Sequence, residues 1–205
     1  GWVPAAERTL TVTGAVAGLF AAHAAGPADA GHAGDAALRR GTTIGCHGPS
    51  AHALALAVAA GPTQHGSWMA CAGCPGLGLQ AAAELGVDLR RVVAVPAAPA
   101  GVWADVLAAM IDGFDVLVVG TAVGGVGRPA ARRLQARAQA RGVVMLVLGG
   151  NHPFDVDLQL SGTSVWHGLA DGHGVAKARR VDARLEGRRA AQPRRASMWL
   201  PDITG

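Results

Sequence analysis

The stretch Gly41-Thr42-Thr43-Ile44-Gly45-Cys46-His47-Gly48-Pro49-Ser50 runs directly into Ala51-His52-Ala53-Leu54-Ala55-Leu56-Ala57-Val58-Ala59-Ala60. Residues 42–47 read as a strand and residues 48–50 as a turn. Residues 51–60 read as an Ala/Leu helix that ends at Gly61-Pro62. Further strands are predicted at 67–71, 91–95, 115–119 and 143–148, alternating with helices at 77–85, 101–112 and 129–141. The runs 115–119 and 143–148 are continuously apolar, as strands buried on both faces are. Gly86, Gly113 and Gly142 stand at helix stops, and Pro129 stands in a first turn. Helix 101–112 places Val102, Val106 and Met110 on one face. The expected fold class is α/β, a mainly parallel sheet flanked by helices.

The pattern changes after residue 148. Segments 156–160 and 175–185 alternate apolar with polar residues and read as antiparallel strands appended at the C-terminal end. The organisation read from this is an N-terminal extension with an Ala/Gly-rich loop (1–40), a core (41–190) and a C-terminal tail (191–205). Within the extension, Leu10, Val12, Val16, Leu19 and Phe20 suit a short strand or helix. No internal repeat is present.

The chain has 205 residues, 50% of them hydrophobic. That suits one domain at about 100–200 residues each. Only eight residues are aromatic (five Trp, three Phe), so Ala, Val and Leu must supply most of the core. The longest apolar candidate, 15–25, falls short of the ~20 residues a membrane span needs. No charged region precedes it, so neither a membrane segment nor a signal peptide is expected. Three cysteines do not make a disulfide scaffold, and a cytoplasmic location is the expectation.

The net charge of +4 is unevenly distributed. Residues 1–127 hold five basic and eight acidic groups, whereas residues 128–205 hold thirteen and six. The basic C-terminal part points to an acidic partner, nucleic acid or protein.

A strand, a Gly-Pro-Ser turn and a small-residue helix reproduce the layout of a phosphate-binding loop. A working loop needs a second Gly, a Lys against the phosphate charge and a Ser/Thr on Mg²⁺. Gly48, Pro49, Ser50, Ala51 and His52 provide none of these at the required spacing. In order and spacing the chain over about residues 40–160 resembles a RecA-type domain. The resemblance rests on Gly41–Ser50 with Leu54-Ala55-Leu56, the strand around Ser67–Ala72, and Ala83-Glu84-Leu85-Gly86-Val87-Asp88-Leu89 before the strand at 91–95. Gly73 stands near the place of the family's catalytic Glu, and Gly120 replaces the Asp ending its metal-binding strand.

Among RecA relatives the chain is most similar to the degenerate accessory proteins of bacterial damage-induced mutagenesis, the ImuA and actinobacterial ImuA-prime type. The cell-division inhibitor SulA belongs to the same degenerate group. The resemblance implies a RecA-like core without ATP hydrolysis, no catalytic residue, no cofactor and no metal. It implies a role in the SOS response and translesion synthesis, with an ImuB-type polymerase-like partner and through it an error-prone C-family polymerase. A nucleoid-associated cytoplasmic location follows. A SulA-like action on FtsZ and direct DNA binding are the alternatives.

Other motifs carry less. Cys71-Ala72-Gly73-Cys74 is a C-x-x-C whose first Cys lies at a strand end, and structural thiols are the expected reading. Gly125-Val126-Gly127-Arg128-Pro129-Ala130 fits G-x-G-x-x-A, but no acidic residue ends the next strand to hold a ribose, so a tight turn is expected. Arg133, Arg137 and Arg141 line one helical face and read as a solvated face. The eight His show no ligand spacing. In the tail, Arg188, Arg189, Arg194 and Arg195 flank Met198, Trp199 and Leu200. Apolar anchors beside Arg suit a docking element, and a tail folded back on its own domain is the competing reading. The same arginines suit a weak DNA contact.

Overall fold

Six parallel strands form the body of the molecule in the computed structural model, which describes residues 8–20, 36–170, 173–187 and 192–201. They are β3 (Thr43–His47), β4 (Met69–Ala72), β5 (Val92–Val95), β6 (Val116–Val119), β7 (Val144–Leu148) and β8 (Leu158–Ala170). With β9 (His173–Glu186) and β10 (Arg194–Leu200) they make an eight-stranded sheet in the order β10-β9-β8-β3-β7-β6-β4-β5. β4, β6 and β7 are buried at every position, which is why their sequences are unbroken apolar runs.

Helices cover both faces of the parallel part. Helix α2 (Ala51–Gln64) and the short α3 (Leu79–Glu84) pack on one face, and α4 (Trp103–Gly113) and α5 (Arg128–Arg141) on the other. Every residue of α2 from Ala51 to Thr63 is buried except His52. Beyond it lies a two-stranded antiparallel sheet of β1 (Thr9–Val12) and β2 (Ala36–Arg39), followed after β1 by the single-turn helix α1 (Ala17–Phe20). The contact is tight: a Cβ on Gly61 would lie 2.5 Å from the Thr11 carbonyl oxygen. The 1–40 segment therefore contributes β1, α1 and β2 to the same core, while its Ala/Gly-rich loop lies outside the described residues.

Four sequence expectations are corrected. First, α2 does not stop at Gly61-Pro62 but runs to Gln64, with Pro62 inside it. Proline lacks only its own N–H, and the next turn still closes because the His65 N–H donates to the Gly61 carbonyl. Second, the buried face of α4 is Trp103, Leu107, Met110 and Ile111; Val102 is 41% exposed. Third, the C-terminal strands are antiparallel to one another as expected, but β8 also joins the body by pairing parallel with β3 through Ile44↔Leu158 and His47↔Ser161, so that only β9 runs opposite to the body. Fourth, the C-terminal segment is an integral strand: β10 pairs antiparallel with β9 from Arg194↔Leu185 to Leu200↔Arg179.

Charged side chains hold the ends of the parallel strands opposite the phosphate-loop-like turn. Asp115 accepts from Arg40 Nη1 at 2.8 Å and from the Trp68 N–H at 3.0 Å. Asp157 accepts from the Thr43 N–H at 2.9 Å, fixing the entry of β8 beside β3. No helix of the described residues is long and apolar enough to cross a membrane.

Candidate functional site

The turn after β3 closes as the sequence predicts. Gly48 has φ +82°, and its carbonyl accepts the Ala51 N–H at 3.1 Å. Pro49 and His52 are exposed, whereas Ser50 and Ala51 are buried. The Ser50 hydroxyl has no hydrogen-bond partner among the described residues. The backbone of β8 lies close by, with the Gly162 carbonyl oxygen 3.3 Å from where a Gly48 Cβ would stand.

Gly73 and Gly120 end β4 and β6, and main-chain bonds join those two ends. The Gly120 N–H donates to the Ala72 carbonyl at 2.7 Å, and the Ala122 N–H to the Gly73 carbonyl at 3.1 Å. A Cβ on Gly120 would lie 2.2 Å from the Gly73 oxygen and 2.6 Å from Cys74 Sγ. A Cβ on Gly73, whose φ is +66°, would lie 2.6 Å from Val123 Cγ2. Neither position accepts a Cβ unless the neighbouring main chain shifts.

Cys46, Cys71 and Cys74 are all free and buried. Burial pushes the thiols of Cys46 and Cys71 up to about 12 and that of Cys74 up to about 11. The reactive species is the thiolate, so the C-x-x-C is chemically quiet near neutral pH. Cys46 lies on β3, with β7 and β6 between it and the Cys71 strand. In the G-x-G-x-x-A motif, a Cβ on Gly125 would lie 2.8 Å from the Ala100 oxygen, and Gly127 is the N-cap of α5. The motif thus seats a loop and starts a helix.

The arginine face of α5 is solvated, with Arg133, Arg137 and Arg141 all exposed. Arg137 and Arg141 both pair with Asp112 near the end of α4, and Arg132 lies 4.0 Å from Asp155. An open cleft of about 730 Å³ lies between the loop after β7 and the start of the C-terminal strands, lined by His47, Gly150, His152, Asp155, Gln159 and Glu186 among others.

The C-terminal residues divide by strand geometry. Met198 and Leu200 point into the core (6% and 4% exposed), while Arg195 and Ser197 are exposed and Trp199 is half-buried. Met198 and Leu200 are thus core residues rather than exposed anchors, because side chains alternate across a strand. Arg194 donates to the Leu19 carbonyl at 3.0 Å, tying β10 to α1. Arg188 and Arg189 lie outside the described residues. Residues 161–170, which the sequence reading leaves unassigned, continue β8 and carry Val165, Trp166 and His167 on the surface. The β-branched and aromatic run Thr163-Ser164-Val165-Trp166 was the available signal. The Arg179 guanidinium lies 5.1 Å over the Trp166 ring, and the His167 and Trp199 rings meet edge-on at 4.6 Å.

Comparison with known proteins matches residues 31–153 to a family described as the MT3502 N-terminal domain. The chain belongs to the MT3502 N-terminal domain family. The MT3502 match takes in β2 to β7 with α2 to α5 and ends before β8. The chain is also 39% identical over 101 residues to a Mycobacterium tuberculosis (strain ATCC 25618 / H37Rv) protein, the uncharacterized protein Rv3395c. That alignment covers 49% of this chain and 49% of the mycobacterial one, so the chain spans about half the length of the curated relative it matches.

Proposed function

We propose that this MT3502-type chain is a non-catalytic, RecA-like accessory protein of damage-induced mutagenesis. In this reading it docks to an ImuB-type polymerase-like protein, and through it to an error-prone C-family polymerase in translesion synthesis, in the nucleoid-associated cytoplasm. The observation that carries the reading is the closure of β4 and β6 at Gly73 and Gly120. The positions that a RecA-type ATPase gives to carboxylates are occupied by main-chain contacts. The order of the parallel strands supports the RecA likeness: the phosphate-loop-like turn on β3 and Gly120 on β6 lie at the same end of the sheet, with β7 between them.

A protein without chemistry acts by presenting a surface. The surface assigned to the partner is the outer edge of β10, which pairs only with β9 among the described residues. An unpaired edge offers a row of N–H and C=O groups to an extended partner segment. Arg188 and Arg189 precede this strand in sequence and add two positive charges to the segment.

Co-purification tests the reading. The full chain is expected to retain an ImuB-type partner, and Arg188→Glu with Arg189→Glu to weaken that retention. The chain is expected to show no ATP turnover with Mg²⁺. Tight Mg·ATP binding with turnover, or no retention of the partner by the full chain, would overturn the proposal.

A further inference from the structure

The net charge of the molecule is located in its last three strands. Residues 1–157 hold ten basic and ten acidic groups, and residues 158–205 hold eight and four. The surplus of +4 therefore belongs to the segment that forms β8, β9 and β10.

These strands bury one face only. Leu160, Val181, Ala183, Leu185, Met198 and Leu200 face the core shared with α2. The opposite face is set by the register, in which Val165, Arg180 and Trp199 form one cross-strand row, and Thr163, Asp182 and Ser197 the next. Ser161, Arg184 and Arg195 form a third. Val165 is 64% exposed, and Thr163, His167, Arg180 and Arg195 are also exposed. The helices α4 and α5 pack over β4, β6 and β7 and leave this face uncovered among the described residues. The edge-on His167–Trp199 pair stands at one end of the face, and Arg184 and Arg195 stand at the other.

The carboxylates on this face are already engaged. Asp182 receives the Ser197 hydroxyl and lies 3.9 Å from Arg180, and Glu186 lies 2.6 Å from Arg184. Arg195 makes no ion pair among the described residues. An open antiparallel face with aromatic rings at one end, cations between and beyond them, and hydroxyls along one row suits a chain of bases and phosphates. Bases have π-faces that stack on such rings, and phosphates are the polyanion that such cations meet. An acidic peptide would use the cations but leave the aromatic pair without a role.

We propose that the outer face of β8, β9 and β10 binds single-stranded nucleic acid, with a base stacked at the His167–Trp199 pair and phosphates held by Arg180 and Arg195. The site is independent of the adaptor reading. It uses the face of the strands, whereas the partner is assigned to the edge of β10. It also lies apart from the closed ends of β4 and β6.

Fluorescence anisotropy with a labelled thymidine oligonucleotide of about 16 nucleotides tests the site, using the full chain. Affinity is expected to fall steeply between about 50 and about 200 mM salt. Arg180→Gln with Arg195→Gln should make the log–log salt slope shallower by about 1.4, the value for two phosphate contacts on a single strand. Trp199→Ala should weaken binding about 5- to 150-fold, the range for losing one stacked base. His167→Ala, at an exposed position, should weaken it in the same direction, so the stacking claim does not depend on the folding of a half-buried Trp variant. No binding by the full chain at the lowest salt would overturn the proposal. So would unchanged binding and slope in the arginine variant, or unchanged binding in both aromatic variants. Equal affinity for duplex DNA or for poly-glutamate would also overturn it, by showing general polyanion attraction. Because partner retention is read separately, loss of oligonucleotide binding leaves the adaptor reading standing, and loss of partner retention leaves this one.

Discussion

Replacing Gly120 by Asp would introduce the side chain that the proposed RecA likeness gives this position, and the geometry predicts that the protein cannot accept it. The new Cβ would stand 2.2 Å from the Gly73 carbonyl oxygen and 2.6 Å from Cys74 Sγ. Both obstacles sit on the segment leaving β4, so the ends of β4 and β6 must part by about an ångström. That movement breaks the 2.7 Å bond from the Gly120 N–H to the Ala72 carbonyl and the 3.1 Å bond from the Ala122 N–H to the Gly73 carbonyl. Overpacking costs about 1–3 kcal/mol, and a buried main-chain group left unpaired costs about 1–3 kcal/mol. A total of about 2–6 kcal/mol is a large fraction of the ~5–15 kcal/mol that holds a domain folded. At about 2–4 °C per kcal/mol for a chain of this size, Tm should fall by about 4–24 °C. Urea and thermal unfolding followed by circular dichroism measure it. Gly124→Ala, with nothing within 4 Å of the added carbon, is the control and should stay within about 0.5 kcal/mol. A Gly120→Asp protein within about 1 kcal/mol of the original, or one that gains Mg·ATP binding, would refute the reasoning.

Gly61→Ala should destabilise by about 1–3 kcal/mol in urea titration, because its Cβ meets the Thr11 oxygen at 2.5 Å although alanine is the better helix former. Cys46, Cys71 and Cys74 should resist alkylation near neutral pH in the folded protein and react once it unfolds, as followed by mass spectrometry. Their raised values give the sign of an alkaline effect: stability is full below the unfolded thiol pKa near 9 and declines as pH rises toward 11–12. Asp88 and Asp112 are held below the ordinary carboxylate value, chiefly by hydrogen bonds from Arg90 and Arg137. Their contribution is present above the unfolded carboxylate pKa and lost as pH falls through the lowered one, so Asp88→Asn with Asp112→Asn should flatten the acid limb of a Tm–pH profile.

The central parallel strands were legible because β4, β6 and β7 are buried on both faces and therefore written as uninterrupted apolar runs, as at Val116–Val119 and Val144–Leu148. Helix α5 was legible from Pro129 in its first turn and Gly142, at φ +72°, just past its end. Where local signals met tertiary demands, the tertiary demand prevailed. Gly61-Pro62 looks like a stop, yet Gly61 is there to let α2 approach β1, and Pro62 is tolerated near the end of the helix. The buried face of α4 was misplaced because Val102 precedes the helix proper in a 3-10 turn, and Trp103 takes the inward position. The outer half of β8 escaped notice because Val165, Trp166 and His167 are all exposed, so burial alternates nowhere along it. Of the candidate site, the Gly-Pro-Ser turn at 48–50 and the glycines at 73 and 120 were visible in the sequence. The closure of β4 on β6 was not, since it depends on distances between segments almost fifty residues apart.

The β3–β8 pairing has a consequence for how this chain can be divided. The stretch shared with the MT3502 family stops at residue 153, five residues before β8 begins. A polypeptide cut there would leave β3 with β7 on one side and no neighbour on the other, although Thr43 to Cys46 are buried along its length. An unshielded apolar strand with a free row of amides recruits other chains edge to edge. The matched stretch and the closed sheet therefore have different borders, and β8, the first of the three strands that carry the excess charge, covers the edge that β3 would otherwise present.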